Sequence, residues 1–166
     1  MITFQIVTIE KFKQLAELAN IIWHEYWTEI LSPEQIDYMV DKFQSENAII
    51  NQYKNENYTY YFITLNKENI GYFGISEKQY FLFLSKFYIK KDFRHNRFGT
   101  KAFELIKKIA KDKNYKSIKL TVNKYNKNTI QIYLKWGFKI VDSVITNIGN
   151  DFVMDDYIME YIVSPE

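Results

Sequence analysis

Residues 80–123 constrain the fold more than any other stretch. The run YFLFLSKFYI (80–89) is apolar and aromatic, as a strand interior is, and it ends in the loop KKDFRHNRFGTK (90–101), which sets five Lys or Arg residues around a single glycine. The chain then passes directly into Phe98, Ala102, Phe103, Leu105, Ile106 and Ile109, spaced as one face of an amphipathic helix, and into a strand at 117–123 whose Ile118, Leu120 and Val122 alternate inward. The order is strand, loop, helix, strand. Backbone N–H groups at the start of such a helix are unsatisfied donors at the positive end of its dipole, so the turn attracts phosphate. Lys90, Lys91, Arg94, Arg97 and Lys101 add mobile positive charge around it. Neither G-x-x-x-x-G-K-[ST] nor G-x-G-x-x-G occurs, which disfavours the nucleotide-binding classes built on those loops.

The remaining chain supplies strands before and after this block. Residues 2–7 read as a first strand, and Phe12, Leu15, Leu18, Ala19, Ile22, Trp23 and Tyr26 recur at helical spacing. Ser32-Pro33-Glu34-Gln35 predicts a helix start, with Ser32 capping, Pro33 in the first turn and Gln35 completing a capping box; this second helix runs to about Phe43. Ser45-Glu46-Asn47 is expected to open a short third helix to Tyr53, although its residues also permit a loop. Further strands are expected at 58–65, 70–76, 138–147 and 151–162, with a helix at 127–136 stopped by Gly137. At 166 residues the chain suits one domain, 1–166. A net charge of +2 is too weak to imply nucleic acid as a partner, so the basic loop has a local purpose. The absence of Cys excludes disulfides, thiolate zinc sites and a cysteine nucleophile, and two isolated histidines, His24 and His95, give no metal-ligand spacing; no metal is expected. No run has the length of a membrane span and the first residues lack the character of a signal peptide, so no membrane partner and a cytoplasmic location are expected.

Taken together, LSKFYIKKDFRHNRFGTKAFELI and KLTVNKYNKNTIQIYLKWGF resemble the GNAT superfamily of acyl-CoA-dependent N-acetyltransferases. The first family signature, Arg or Gln, two residues, Gly, one residue, Gly or Ala, falls on Arg94, Arg97 and Gly99, with Arg97 where the first glycine is usual. The second, an Asn, a Tyr seven residues on and then Gly-Phe, falls on Asn126, Tyr133 and Gly137-Phe138. The resemblance covers roughly 58–163. It implies an α/β fold: a mixed, mostly antiparallel, twisted sheet of about seven strands with helices on both faces and a V-shaped splay between strands 4 and 5.

By the same resemblance, acetyl-CoA is the co-substrate. Its pantetheine is expected beside Phe87, Tyr88 and Ile89, and its pyrophosphate on the amides of Arg94, His95, Asn96, Arg97, Phe98, Gly99 and Thr100. Asn126 either bonds the cofactor or fixes the helix start, and Tyr133 is the expected general acid. The position of the family's strand glutamate is Ser85, so proton removal from the amine falls to a water relay or to Glu25, Glu29 or Glu77, the first two being four apart on one face of the first helix. The implied activity is acetyl transfer to a primary amine by direct attack in a ternary complex. The C-terminal layout, including NDFVMDDYIMEY, looks most like bacterial small-amine acetyltransferases of the polyamine type, and Glu25, Glu29, Glu34 and Asp37 are candidate receivers of a cationic amine. The rival readings are a protein N-terminal or lysine acetyltransferase acting on a peptide amine, and a non-catalytic acyl-CoA sensor. A homodimer is compatible with all three.

Overall fold

In the computed structural model of the chain, residues 1–163 are described. Seven strands, β1 (Ile2–Ile6), β2 (Tyr58–Leu65), β3 (Glu68–Glu77), β4 (Leu82–Ile89), β5 (Ser117–Asn123), β6 (Lys139–Gly149) and β7 (Phe152–Ile162), lie in the order β1-β2-β3-β4-β5-β7-β6. Among the described residues five α-helices accompany them: α1 (Phe12–Tyr26), α2 (Pro33–Met39), α3 (Glu46–Asn55), α4 (Phe98–Asp112) and α5 (Lys127–Trp136). This is the expected mixed α/β fold with a mostly antiparallel sheet. The chain forms two compact units, one of Met1–Glu77 with Leu84–Ile106, the other of Lys78–Phe83 with Lys107 onward. The last three residues of the single domain expected from the sequence lie outside the described residues.

In the first unit, β1 pairs antiparallel with β2 and β2 with β3. The two-residue turn between β2 and β3 places Asn66 at φ 49° and Lys67 at φ 72°, the left-handed pair that a tight hairpin requires. One face of this sheet is covered by α1 and α3: Phe12, Leu15, Leu18, Ala19 and Ile22 of α1 and Ile49 of α3 pack with Tyr60, Phe62 and Tyr72. Each such burial stabilises by about 1.5–3 kcal/mol, so the i, i+3, i+4 apolar stripe of α1 fixes which way the helix faces. Ser32 caps α2 by accepting from Gln35 N at 3.1 Å, as the sequence predicts, whereas the Gln35 amide nitrogen goes to Met39 Sδ at 3.8 Å. The second helix reaches Gln44 only by changing form: Val40–Gln44 is a π-helical turn. Ser45 then caps α3 through Ala48 N at 3.2 Å, which settles the third helix over the loop alternative.

Strand β3 approaches β4 closely at Gly71, where a Cβ would collide with the carbonyl oxygen of Tyr88 and meet Ile89 at 3.1 Å. Glycine is therefore required on steric grounds directly beside the end of β4.

In the second unit, β7 lies between β5 and β6 and pairs antiparallel with both. The parallel pairing of β4 with β5 is made by Leu82 with Ile118 and Phe83 with Lys119. Ile118, Leu120, Val122, Ile130, Phe138, Ile148 and Met159 are buried here. Helix α5 ends at Gly137, whose φ of 105° is left-handed and whose N–H bonds Leu134 O at 3.1 Å. Strand β6 forms an edge of the sheet, and two bulges, between Ile140 and Asp142 and between Asn147 and Gly149, break its register with β7.

Candidate active site

The end of β4 is held by packing on two sides. Tyr88 lies among the rings of Trp23 at 5.5 Å, Tyr26 at 5.5 Å and Tyr72 at 5.7 Å, while Phe87 packs on Phe73 at 6.0 Å. Lys90 N bonds Ile70 O at 2.8 Å, and the chain then makes a short 3-10 turn, Lys91–Phe93. Asn96 Nδ2 bonds Phe93 O at 3.3 Å and Arg94 O at 3.1 Å, folding the loop over itself. Arg94 is not the mobile cation expected from the sequence: its Nε donates to Ile89 O at 2.8 Å and its guanidinium lies 4.8 Å over the Tyr26 ring.

The loop departs from ordinary backbone at two positions. His95 has φ 66° and Arg97 φ 62°, and α4 starts at the next residue, Phe98. Arg97 thus occupies the usual glycine position in a conformation that favours glycine. The left-handed region costs a residue with a Cβ on the order of 1 kcal/mol or more, a cost found where a functional path over-determines the chain. Arg97→Gly is accordingly expected to stabilise the protein by about 0.5–1 kcal/mol, the relief of strain being reduced by glycine's greater unfolded-state entropy. Thermal unfolding of the two proteins checks this; a less stable glycine variant would show that Arg97 is not strained.

The second unit contains Asn126, Tyr133 and a buried carboxylate. Asn126 is 8% exposed and stands at the start of α5, where its carbonyl accepts from Ile130 N at 3.1 Å; its side chain makes no capping bond. Tyr133, also 8% exposed, is set edge-on to Trp136 at 5.7 Å and Phe138 at 5.5 Å. Its carbonyl accepts from Phe138 N at 3.0 Å, so the Gly137 turn that ends the helix also fixes the backbone of Tyr133. Asp156 is 5% exposed on β7, in register with Asn123 of β5. Burial pushes its carboxyl up to about 6, helped by the charge of Asp155 and opposed by Lys124, which itself bonds Asp155 at 2.9 Å.

A match to the family model "Acetyltransferase (GNAT) family" extends over residues 13–138, taking in the loop, Asn126 and Tyr133. The chain belongs to the GNAT acetyltransferase family. Membership makes it an acetyl-CoA-dependent N-acetyltransferase, as the sequence motifs imply. A spermidine N(1)-acetyltransferase of Thermoplasma acidophilum is 26% identical over 153 residues, covering 90% of this chain and 92% of that protein. Among solved structures, the PaiA N-acetyltransferase of Thermoplasma acidophilum, crystallised with coenzyme A, superimposes with a TM-score of 0.82 at 23% identity over 98% of this chain and 99% of that one. The ribosomal-protein-S18-alanine N-acetyltransferase of Escherichia coli does so with a TM-score of 0.72 at 16% identity, over 100% and 96%.

Several carboxylates expected near a substrate are differently placed in this GNAT chain. Helix α1 ends at Tyr26 because Ile30 N and Leu31 N both turn back to Trp27 O, at 3.0 and 2.9 Å; Glu29 lies in that turn and does not share a helical face with Glu25. Asp37 binds His24 Nε2 at 2.6 Å, which together with the bond to Asn20 O raises the imidazole above its ordinary range. Ser85 shares a 2.6 Å hydrogen bond with the Tyr58 hydroxyl. Two buried ionisable residues escaped the sequence reading, Asp156 and Lys86. Lys86 is 5% exposed, and its Nζ donates to Phe43 O, Gln52 Oε1 at 2.9 Å and Tyr60 OH at 2.7 Å. Burial holds its amine well below the ordinary lysine range, with the charge of Glu56 opposing. The signals were present: Lys86 follows Leu82 and Leu84 at strand period, and an aspartate at an inward strand position is rare.

Proposed function

We propose that this acetyltransferase moves the acetyl group of acetyl-CoA onto a primary amine of a small polycation of the spermidine type, by direct attack within a ternary complex. The reading is carried by one observation, the left-handed path of His95 and Arg97 in front of the fifteen-residue helix α4. Such a path turns successive amides to a common side, where a pyrophosphate can accept from them, and the helix dipole favours the negative charge. Arg97 and Lys101 add screened charge at the same place. Phe87, Tyr88 and Ile89 would line the pantetheine arm, whose amides suit a strand edge, and Asn126 would bond the cofactor from the start of α5.

The chemistry requires two proton movements. The amine lone pair forms the new C–N bond at the thioester carbonyl carbon, and the C–S bond breaks with its electron pair leaving on sulfur. Tyr133 hands its phenolic proton to that sulfur, and Asp156 takes the proton that the nitrogen sheds as the C–N bond forms. A carboxylate lifted to about 6 is a better acceptor than an ordinary one while still ionised at neutral pH. Glu29 and Glu34, both exposed in the α1–α2 region, offer charge for the distal ammonium of a polyamine.

Incubation with acetyl-CoA and a panel of spermidine, monoamines and a peptide with a free N-terminus, read by release of free thiol, tests the assignment. A chain without cysteine gives that assay no background. Preference for the peptide would transfer the reading to a protein N-terminal acetyltransferase, and binding without turnover would leave an acyl-CoA sensor. Tyr133→Phe is expected to lower kcat by about 10- to 100-fold with acetyl-CoA affinity within about threefold, because only the transition state loses a donor. Equal rates in single-turnover mixing would make Tyr133 a packing residue.

A further inference from the structure

One carboxylate joins the last turn of α1 to the entrance of the basic loop. Glu25 Oε1 accepts the backbone N–H of Lys91 at 2.8 Å, across 66 residues of sequence, and lies 3.9 Å from Arg94 Nη2. Lys91 is the residue that opens the 3-10 turn, and Arg94 is the residue that leaves it, with Arg94 N bonded to Lys91 O at 3.3 Å. Glu25 therefore holds the start of that turn by a hydrogen bond and faces the guanidinium of the residue that leaves it at ion-pair distance. Its side chain is 32% exposed, so it is neither a solvated surface acid nor a free base.

A negative charge beside a loop that receives phosphates is unfavourable by itself, since like charges repel across a partly desolvated site. Its presence needs a compensating role, and the contacts supply one. Two residues with a Cβ in left-handed conformation within three positions persist only where their surroundings over-determine the backbone. Arg94 to Ile89 and Asn96 to Phe93 and Arg94 are anchors within the loop and its strand. Glu25 is an anchor from a separate element, itself seated by the aromatic cluster that Tyr26, Trp23 and Trp27 form with Tyr88. Arg94, held between the Tyr26 ring and the Glu25 carboxylate, offsets the charge.

We propose that Glu25 is a positioning residue for acetyl-CoA: by accepting from Lys91 N–H and holding Arg94 it fixes the entry of the loop, so that the amides of 95–100 are aimed before the pyrophosphate arrives. The inference rests on the reading of that loop as the pyrophosphate site. Binding to a pre-aimed loop avoids an ordering cost that a loosened loop incurs on every association, so the effect falls on affinity and leaves chemistry alone. The working part of Glu25 is its oxygen as an acceptor, which glutamine retains and alanine does not.

The test compares acetyl-CoA with S-acetylpantetheine, which lacks the pyrophosphate, in the intact chain and in Glu25→Ala and Glu25→Gln. Glu25→Ala is expected to raise KM for acetyl-CoA about tenfold with kcat within about twofold, and to leave KM for S-acetylpantetheine in place. Glu25→Gln recovers most of the affinity, and amide hydrogen exchange over 90–97 quickens in the alanine variant and returns toward the parent rate with glutamine. An alanine variant with unchanged KM for acetyl-CoA, or one that raises KM for both donors alike, overturns the assignment. A parent enzyme that uses the two donors equally well would instead remove the pyrophosphate reading beneath it.

Discussion

Asp156→Asn is expected to lower kcat by about 10²- to 10³-fold at neutral pH while making the folded protein more stable. The two effects have one cause. A carboxylate that is 5% exposed and pushed up to about 6 is held by the fold in an environment hostile to its charge. In the unfolded chain the same group titrates near roughly 3.9, so between the two values the native state binds the proton more tightly. Its contribution to stability is full below the unfolded value and is lost as pH rises through the folded one. At pH 7 the native protein therefore carries an ionised, poorly solvated Asp156 at a cost of roughly 3 kcal/mol, which the neutral amide of asparagine avoids. Urea unfolding should find the variant more stable at pH 7 and the advantage gone near pH 4. In the rate profile, the parent kcat/KM should fall on the acid side with a midpoint near 6, and the variant should lack that limb. An unchanged acid limb in Asp156→Asn would place the proton acceptor elsewhere.

Lys86→Ala should cost about 3 kcal/mol of stability, lowering Tm by about 6–12 °C in a chain of this size. Truncation removes a buried aliphatic stem and the donor shared by Phe43 O, Gln52 Oε1 and Tyr60 OH, leaving a void lined by acceptors. Lys86→Met fills the space without the amine and separates the packing from the charge. Because burial depresses the lysine pKa in the native state, the unfolded chain binds the extra proton over the range below roughly 10.4. The parent should therefore gain stability as pH rises from 7 toward that value, and the methionine variant should not share the gain. Above it, Tyr60 and Tyr72, whose hydroxyls burial raises, oppose the trend in both proteins. Parallel pH profiles for parent and Lys86→Met would mean that Lys86 is charged in the fold and fully compensated by its partners.

The elements that the sequence disclosed are those whose reasons are local. Ser32 and Ser45 cap helices because a hydroxyl two or three residues before free N–H groups can hardly do otherwise, and Gly137 ends α5 because a left-handed residue is needed there. The features that escaped it depend on distant partners. The π-helical turn at Val40–Gln44 inserts where Gln44 is drawn inward to the Tyr72 hydroxyl, 28 residues on. Helix α1 stops at Tyr26, where the chain turns back on Trp27 O, and this turn removes Glu29 from its face. At the candidate site the loop and Tyr133 were legible as motifs, whereas the anchoring of Arg94 was not: its partners Ile89 O, Tyr26 and Glu25 are set by tertiary packing, and a basic side chain in a basic run looks mobile until they are known. Arg97 was the opposite case, a departure visible in sequence whose backbone consequence needed the fold.

The two bulges of β6 bear on how the protein behaves in concentrated solution. An outer strand of eleven residues that exposes Val141 and Ile145 would, if straight, offer a long row of unused amides and apolar side chains to any passing polypeptide. Each bulge turns the strand and interrupts that row, and Lys139 and Asp142 place charge at the first of them. A second chain laid along β6 finds an unbroken register only over residues 142–147, which makes this rim a poorer template for fibre growth than a straight strand of the same length.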